Sequence, residues 1–192
     1  MNLLFPGLDT SVTVDGEDYP INYRYYYVLR IISVLEDQER TEEERVIDLL
    51  RIFYKAKIPK NIKGAIEACL NFIAQGSYQT DLQGKNQNKA PVYDYERDHQ
   101  LIFVSMQQVY GDSWRKWHWW QWKAAFDNLP ENTPIKNVIS IRVRKIECKM
   151  SATERANLQE LKQIYALKQK NQPEMMSAKE LEAEIMAKDS YS

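Results

Sequence analysis

Residues that bind metals or form disulfides are scarce in this sequence. Its 192 residues include two histidines and two cysteines. A histidine-rich metal site is excluded, because His99 and His118 are the only histidines in the sequence. Cys69 and Cys148 do not form a CxxC pair, which predicts free thiols in a reducing compartment. The sequence also lacks a glycine-rich phosphate loop and a Ser/His/Asp constellation, so we expect neither a cofactor nor an enzymatic activity.

A strong charge of either sign and a long apolar run are also missing. The formal net charge is -1 at pH 7, which gives no overall attraction to DNA, RNA or anionic membranes. No apolar run approaches the roughly 18 residues of a membrane span, and the opening MNLLFPGLDT lacks the pattern of a signal peptide. These absences predict a cytoplasmic protein that does not insert into a membrane. A nucleic-acid role would need a local basic patch.

The patterns that are present predict a mainly α-helical protein with a short N-terminal β-hairpin and a helical C-terminal tail. The stretch VTVDGEDYPINY alternates and turns at Asp15-Gly16, a dipeptide that accepts positive φ in tight hairpins. From Tyr23 onward, apolar residues recur at helical spacing. We predict one helical domain over residues 1–150, including the hairpin, and a helical, partly flexible tail over residues 151–192.

Local start signals place several of the helices. Thr41 and Ser151 are each followed three residues later by Glu, the capping-box pattern that begins a helix. Pro134 directly after Thr133 favours a third start.

The helix that follows the segment KIPKN, residues 57–61, is predicted to end at a long polar segment. Its apolar residues predict an inward face made of Ile62, Ile66, Cys69, Leu70 and Ile73. The polar segment GSYQTDLQGKNQNKAP, residues 76–91, has no period and contains two glycines and a proline. It is predicted to be a mobile loop between two helical halves.

All five tryptophans lie between Trp114 and Trp122, in the stretch SWRKWHWWQWKAAFDNLP. If residues 113–127 form one helix, two aromatic faces result at 100° per residue. The predicted core face consists of Trp119, Trp122, Phe126 and Leu129. The opposite face is a candidate for binding a partner or a second copy, and consists of Trp117, Trp120 and Ala124.

Three interpretations of the tryptophans compete: a core, a protein interface and a nucleic-acid platform. Tryptophan is common in cores and in interfaces, and these two are favoured in that order. Arg115, Lys116 and Lys123 would suit a platform on which bases stack. Asp127 and Glu131 follow at once and weaken that interpretation.

A catalytic interpretation of His99 is also disfavoured. Asp98 precedes it directly and points to another side of a helix, and nothing in the sequence supplies a nucleophile.

Several short motifs occur in a fixed order over about residues 93 to 145: YDYERD, QQVYG, HWWQW, a Leu-Pro turn and ISIR. In this order they resemble the tail assembly chaperone family of long-tailed phages and prophages of Gram-positive bacteria. Trp114 and Trp117 depart from the family pattern, so no role is transferred to them. The residues that carry the resemblance are Tyr93, Asp94, Tyr95, Tyr110, Gly111, His118, Trp119, Trp120 and Arg142.

The resemblance implies a helical protein without enzymatic activity that acts in the host bacterial cytoplasm. Members of the family coat the tape measure protein before the tail tube polymerises, and they are absent from the finished virion. It therefore implies the tape measure protein as a partner, with the tail tube protein as a second candidate. It also implies self-association, because coating needs many copies. The competing hypothesis is a small phage-derived nucleic-acid-binding regulator, although nucleic acid is the less favoured partner.

Overall fold

The computed structural model describes residues 7–75 and 92–167. The predicted mobile loop at 76–91 and the part of the predicted tail after residue 167 lie outside the described residues. The prediction of a mainly helical fold with an N-terminal hairpin is confirmed. The elements are β1 (Ser11–Val14), β2 (Glu17–Pro20), α1 (Tyr25–Glu36), α2 (Glu42–Phe53), α3 (Ile62–Gln75), α4 (His99–Tyr110), a 3₁₀ helix (Ser113–Lys116), α5 (Trp119–Asp127), α6 (Pro134–Val143) and α7 (Ala152–Ile164).

The hairpin forms where the sequence predicts it. β1 and β2 are antiparallel, and Val14 pairs with Glu17 across a two-residue turn. Asp15 and Gly16 both have positive φ, 52° and 81°, as a type I′ turn requires. Val14 is buried on the face of the hairpin that lies on α3, which anchors the hairpin to the helical part.

The predicted helix starts are confirmed at three places. The Thr41 hydroxyl accepts a hydrogen bond from the Glu44 amide, and the Glu44 carboxylate accepts one from the Thr41 amide. Ser151 begins α7 with the same reciprocal pair. Pro134 occupies the first turn of α6. Backbone N–H groups in the first turn make no hydrogen bond within the helix, so proline is tolerated there.

One hydrophobic cluster joins the hairpin and helices α1 to α6. Within the described residues, α1 packs on α2, α4 packs on α6, and α5 packs on α1. α7 rests on α6 through the buried Leu158. The division into a domain at 1–150 and a tail at 151–192 stays a prediction. The most deeply buried members of the cluster include Ile21, Val28, Ile31, Phe53, Cys69, Met106 and Ile135.

Candidate partner-binding surface

The prediction of one helix over residues 113–127 is wrong, because the chain is extended at Trp117 and His118. Their ψ angles are both 150°, and they separate the 3₁₀ helix from α5. The extended pair lies against the start of α1, where the Trp119 amide donates to the Tyr23 carbonyl at 2.9 Å. This long-range pairing replaces the helical hydrogen bonds that a continuous helix would make.

His118 is the N-cap of α5. Its Nδ1 accepts a hydrogen bond from the Trp120 amide at 3.2 Å, and the Gln121 side chain accepts one from the His118 amide. A signal for the break is therefore present in the sequence, because the HWWQ segment has the spacing of a capping box with histidine at the cap. The prediction missed it because Ser and Thr are the usual cap residues in this motif.

The second ring nitrogen of His118 contacts the N-terminal segment. Nε2 lies 2.9 Å from the carbonyl oxygen of Asp9. Because Nδ1 is an acceptor, Nε2 must carry the proton, and the ring is neutral. Burial lowers the pKa of His118, and the Asp9 carbonyl opposes that shift in part. The Tyr23 ring stacks on the imidazole at 5.3 Å and closes one side of it.

The four residues of the predicted core aromatic face are all buried: Trp119, Trp122, Phe126 and Leu129. Trp122 is at the centre of this group. Its ring stacks on Phe126 at 5.3 Å and on Tyr25 of α1 at 5.2 Å. The indole of Trp119 stacks beside it at 5.8 Å. The stack joins α5 to α1.

Two adjacent indoles hold the C-terminal end of α3. The Trp119 Nε1 donates to the Ile73 carbonyl at 3.0 Å, and the Trp120 Nε1 donates to the Phe72 carbonyl at 2.8 Å. Both carbonyls belong to the last turn of α3, where outside donors stabilise the end of a helix. The paired tryptophans of the HWWQW motif therefore supply two helix-capping donors.

The residues of the predicted partner face do not lie on one helix. Trp117 precedes α5, is half-buried, and packs its ring against Tyr110 at 5.1 Å. Trp120 is half-buried between Phe72 and His118, at 5.1 and 4.8 Å. Ala124 is half-buried as well. Much of the surface of these two indoles is therefore covered by the same chain.

An ion pair buried in the protein joins two of the other motifs. Arg142 in the ISIR motif donates to both carboxylate oxygens of Asp98 in the YDYERD motif, at 2.6 and 2.8 Å. The exposed fractions of the two side chains are 9% and 3%. The Arg142 Nε also donates to the carbonyl of Tyr165, just beyond α7. The sequence could not identify Asp98 as the partner of Arg142, because no local pattern links residues so far apart.

The remaining motif residues shape the same region. Tyr93 and Tyr95 pack their rings against Phe126 at 5.1 and 5.9 Å. The Asp94 carboxylate accepts hydrogen bonds from two amides of the turn that leads into α4. The Tyr110 hydroxyl donates to a carbonyl of α5, and Gly111 ends α4 with a φ of 59°. The motifs of the resemblance thus meet around α5.

The surface most suited to a partner lies on α3, where a row of aliphatic side chains is partly exposed. Ile62 and Leu70 are 45% and 42% exposed, so the prediction that both point inward is wrong. The core side of α3 is instead centred on the smaller Ala65 and Cys69 together with Phe72. We call the row of Ile62, Ile66, Leu70 and Ile73 the α3 stripe, in which Ile66 and Ile73 are half-buried.

Residues 7–75 and 92–167 contain neither a metal-binding cluster nor a membrane-spanning helix. In these ranges, no three His, Cys, Asp or Glu side chains come together in a way that could hold a metal ion. None of the helices in the same ranges has both the length and the apolar character needed to cross a bilayer.

Together, the fold and the site define a class: a small helical protein with an N-terminal hairpin, an aromatic centre and an exposed aliphatic stripe. A family model described as Bacteriophage Gp15 protein matches residues 7–167. The chain belongs to this bacteriophage family. Neither a curated protein nor a solved structure matches the chain.

Proposed function

We propose that this protein is a phage tail assembly chaperone. It binds the tape measure protein and keeps it soluble until the tail tube polymerises, and it is absent from the mature virion. Membership of a bacteriophage family and the resemblance of the motifs around α5 support a role in phage assembly. The observation that carries the proposal is the α3 stripe.

The α3 stripe has the spacing that an apolar helix of a partner can use. Its residues occur at i, i+4, i+8 and i+11, so they form one row along α3. Helix-in-groove recognition uses such rows of aliphatic anchors. Burying one Ile or Leu side chain fully contributes about 1.5 to 3 kcal/mol, and the two exposed members have much of that surface left to bury.

The setting and the stoichiometry belong to the same proposal. The chaperone acts in the cytoplasm of the host bacterium, and many copies associate along one tape measure protein. The tail tube protein is a second partner that would displace these copies. A partner-binding role for Trp117 and Trp120 stays a prediction, and their half-buried rings already pack against the chain.

Co-expression with the tape measure protein of the same phage tests the proposal. The wild-type chain should keep the tape measure protein soluble and co-purify with it. The double variant Ile62→Ser/Leu70→Ser should leave most of it in the pellet, because it removes the two exposed anchors while deep core contacts remain.

A matched control uses two aliphatic residues that are equally exposed but lie outside the stripe. Ile47 on α2 and Val104 on α4 are 47% and 50% exposed. The variant Ile47→Ser/Val104→Ser should solubilise the tape measure protein as the wild type does. The proposal fails if the wild type does not solubilise it, or if the two double variants behave alike.

The competing function, a nucleic-acid-binding regulator, has less support. A stacking platform needs accessible aromatic faces. Trp114, Trp119 and Trp122 are buried, and the other two indoles are half-buried. The tryptophan cluster therefore offers little surface on which bases could stack.

A further inference from the structure

A recess between α1 and α2 is rich in arginine. Its volume is about 370 Å³, and its walls include Arg30 of α1, Arg51 of α2 and Arg40 of the connection between these helices. Among the described residues on the walls, Asp48 is the one carboxylate, and it is already paired with Arg40. Arg40 is held from the other side by Asp37 at 2.9 Å. The recess therefore has a surplus of positive charge.

Two of the three guanidinium groups are available to a ligand. Within residues 7–75 and 92–167, no carboxylate lies within salt-bridge distance of Arg30 or Arg51. Both residues are exposed, and they line the recess from different helices, α1 and α2. Asn22 and Tyr27 add polar groups to the same recess. A guanidinium fork binds a carboxylate through two parallel hydrogen bonds, so this arrangement suits an anionic group that enters between the helices.

The positive charge continues along the chain after α2. Residues 51–63 contain one arginine and four lysines and no acidic residue. Lys55 lies over the Tyr23 ring at 4.8 Å, and Lys57 lies over the Tyr19 ring at 5.9 Å. We call Arg30, Arg51, Lys55 and Lys57 the basic strip.

The fold fixes the strip next to the recess. The Asn22 amide donates to the Phe53 carbonyl at 2.8 Å, and the Lys55 amide donates to the Pro20 carbonyl at 3.1 Å. The Asn22 side chain also donates to the Ile52 carbonyl at 2.7 Å. These bonds hold the start of the basic segment against Asn22, which lines the recess.

We propose that the basic strip binds an acidic segment of a polypeptide partner, with one carboxylate seated in the recess between Arg30 and Arg51. The net charge of the whole chain is -1, so the strip is a local feature and not a consequence of overall charge. Opposite charges on a partner would speed and orient the encounter. The inference goes beyond the proposed function and does not depend on it, because the strip and the α3 stripe share no residue.

Binding of a fluorescein-labelled hexaglutamate peptide to the full-length chain tests this inference by fluorescence anisotropy. The wild type should bind the peptide saturably, with an affinity that falls as salt is raised from roughly 50 to 300 mM. A hexaglutamine peptide should not bind. The double variant Arg30→Gln/Arg51→Gln should weaken binding about tenfold or more, since it removes two charge-assisted contacts.

A second double variant controls for the loss of charge alone. Arg97 and Arg144 are exposed and lie outside the strip, and Arg97→Gln/Arg144→Gln should change the affinity less than about twofold. The inference is overturned if hexaglutamate does not bind the wild type, or if both double variants weaken binding equally. It is also overturned if an oligothymidylate of equal charge binds more tightly than the peptide, which would assign the strip to nucleic acid. Thermal melts of both variants should match the wild type, because neither change breaks an ion pair within the described residues.

Discussion

At the scale of single residues, His118 connects three segments that are far apart in the sequence. One ring nitrogen caps α5, the other donates to the Asp9 carbonyl, and the ring face stacks on Tyr23. All three contacts are compatible with the neutral ring. Protonation of Nδ1 would remove the acceptor that caps α5. Protonation of this one side chain is therefore coupled to folding.

We predict that the free energy of unfolding decreases as the pH falls below about 6.5, the ordinary pKa of histidine. The pKa of His118 is lowered in the folded protein, mainly by burial. Between the two pKa values the unfolded chain binds more protons than the folded one, so stability is full above this window and is lost as the pH falls through it. Urea denaturation at a series of pH values measures the effect.

Because the chain has two histidines, each serves as the control for the other. His118→Asn should remove this part of the pH dependence, and it should cost about 1 kcal/mol at neutral pH through the lost bond to Asp9. His99 is exposed, and His99→Asn should retain the pH dependence of the wild type. An unchanged pH dependence in His118→Asn would contradict the assignment.

The buried pair of Asp98 and Arg142 supports a second prediction about single residues. Asp98→Asn should lower the free energy of unfolding by about 3 to 5 kcal/mol, because it leaves a buried guanidinium group without its counter-charge. Urea denaturation gives the difference directly. The exposed pair of Asp112 and Arg115 is the comparison, and Asp112→Asn should cost less than about 1 kcal/mol. A similar decrease in the free energy of unfolding for both variants would show that burial of the Asp98–Arg142 pair does not affect stability.

At the scale of the elements, the end of α3 depends on a different helix for its caps. The Phe72 and Ile73 carbonyls in its last turn accept hydrogen bonds from the indoles of Trp120 and Trp119. The same helix, α5, contains a tryptophan whose indole nitrogen has no such role. The Trp122 Nε1 is buried and has no hydrogen-bond partner within the described residues.

We predict that Trp119→Phe destabilises the protein by about 1 to 3 kcal/mol more than Trp122→Phe, because it removes the hydrogen bond from the indole to the Ile73 carbonyl. The two indoles are both 1% exposed, so the loss of ring volume is closely matched. Trp122→Phe removes a buried N–H that makes no bond, which offsets part of the cost of the smaller ring. Thermal and urea denaturation of the two variants test the difference. Equal losses would mean that the capping bond contributes nothing measurable.

At the scale of the whole molecule, the features predicted well are those that a few neighbouring residues determine. The hairpin turn follows from Asp15 and Gly16, and the starts of α2 and α7 follow from a Ser or Thr cap with Glu three residues later. Gly111, with a positive φ, ends α4 in the same local way. In each case the backbone groups are satisfied within about four residues, so periodicity and capping patterns were sufficient.

The features that could not be predicted depend on contacts across the chain. The break at Trp117 and His118 has a local signal in the His118 cap, but the pairing with residues 23–25 that stabilises it has none. The exposure of Ile62 and Leu70 reflects which side of α3 meets the hairpin and α2, a choice that helical periodicity leaves open. Within the candidate site, the aliphatic residues were identified from sequence, but their exposure required the fold.

The hydrogen bond between Asp9 and His118 also sets an order of events during protein synthesis. Its two residues are 109 positions apart. At elongation rates of about 5 to 20 residues per second, roughly 5 to 20 s pass between the synthesis of Asp9 and that of His118. The hairpin can close on its own turn well before then, because its strands are adjacent in sequence. Its final attachment to the aromatic centre is a late step, completed only when most of the described chain has left the ribosome.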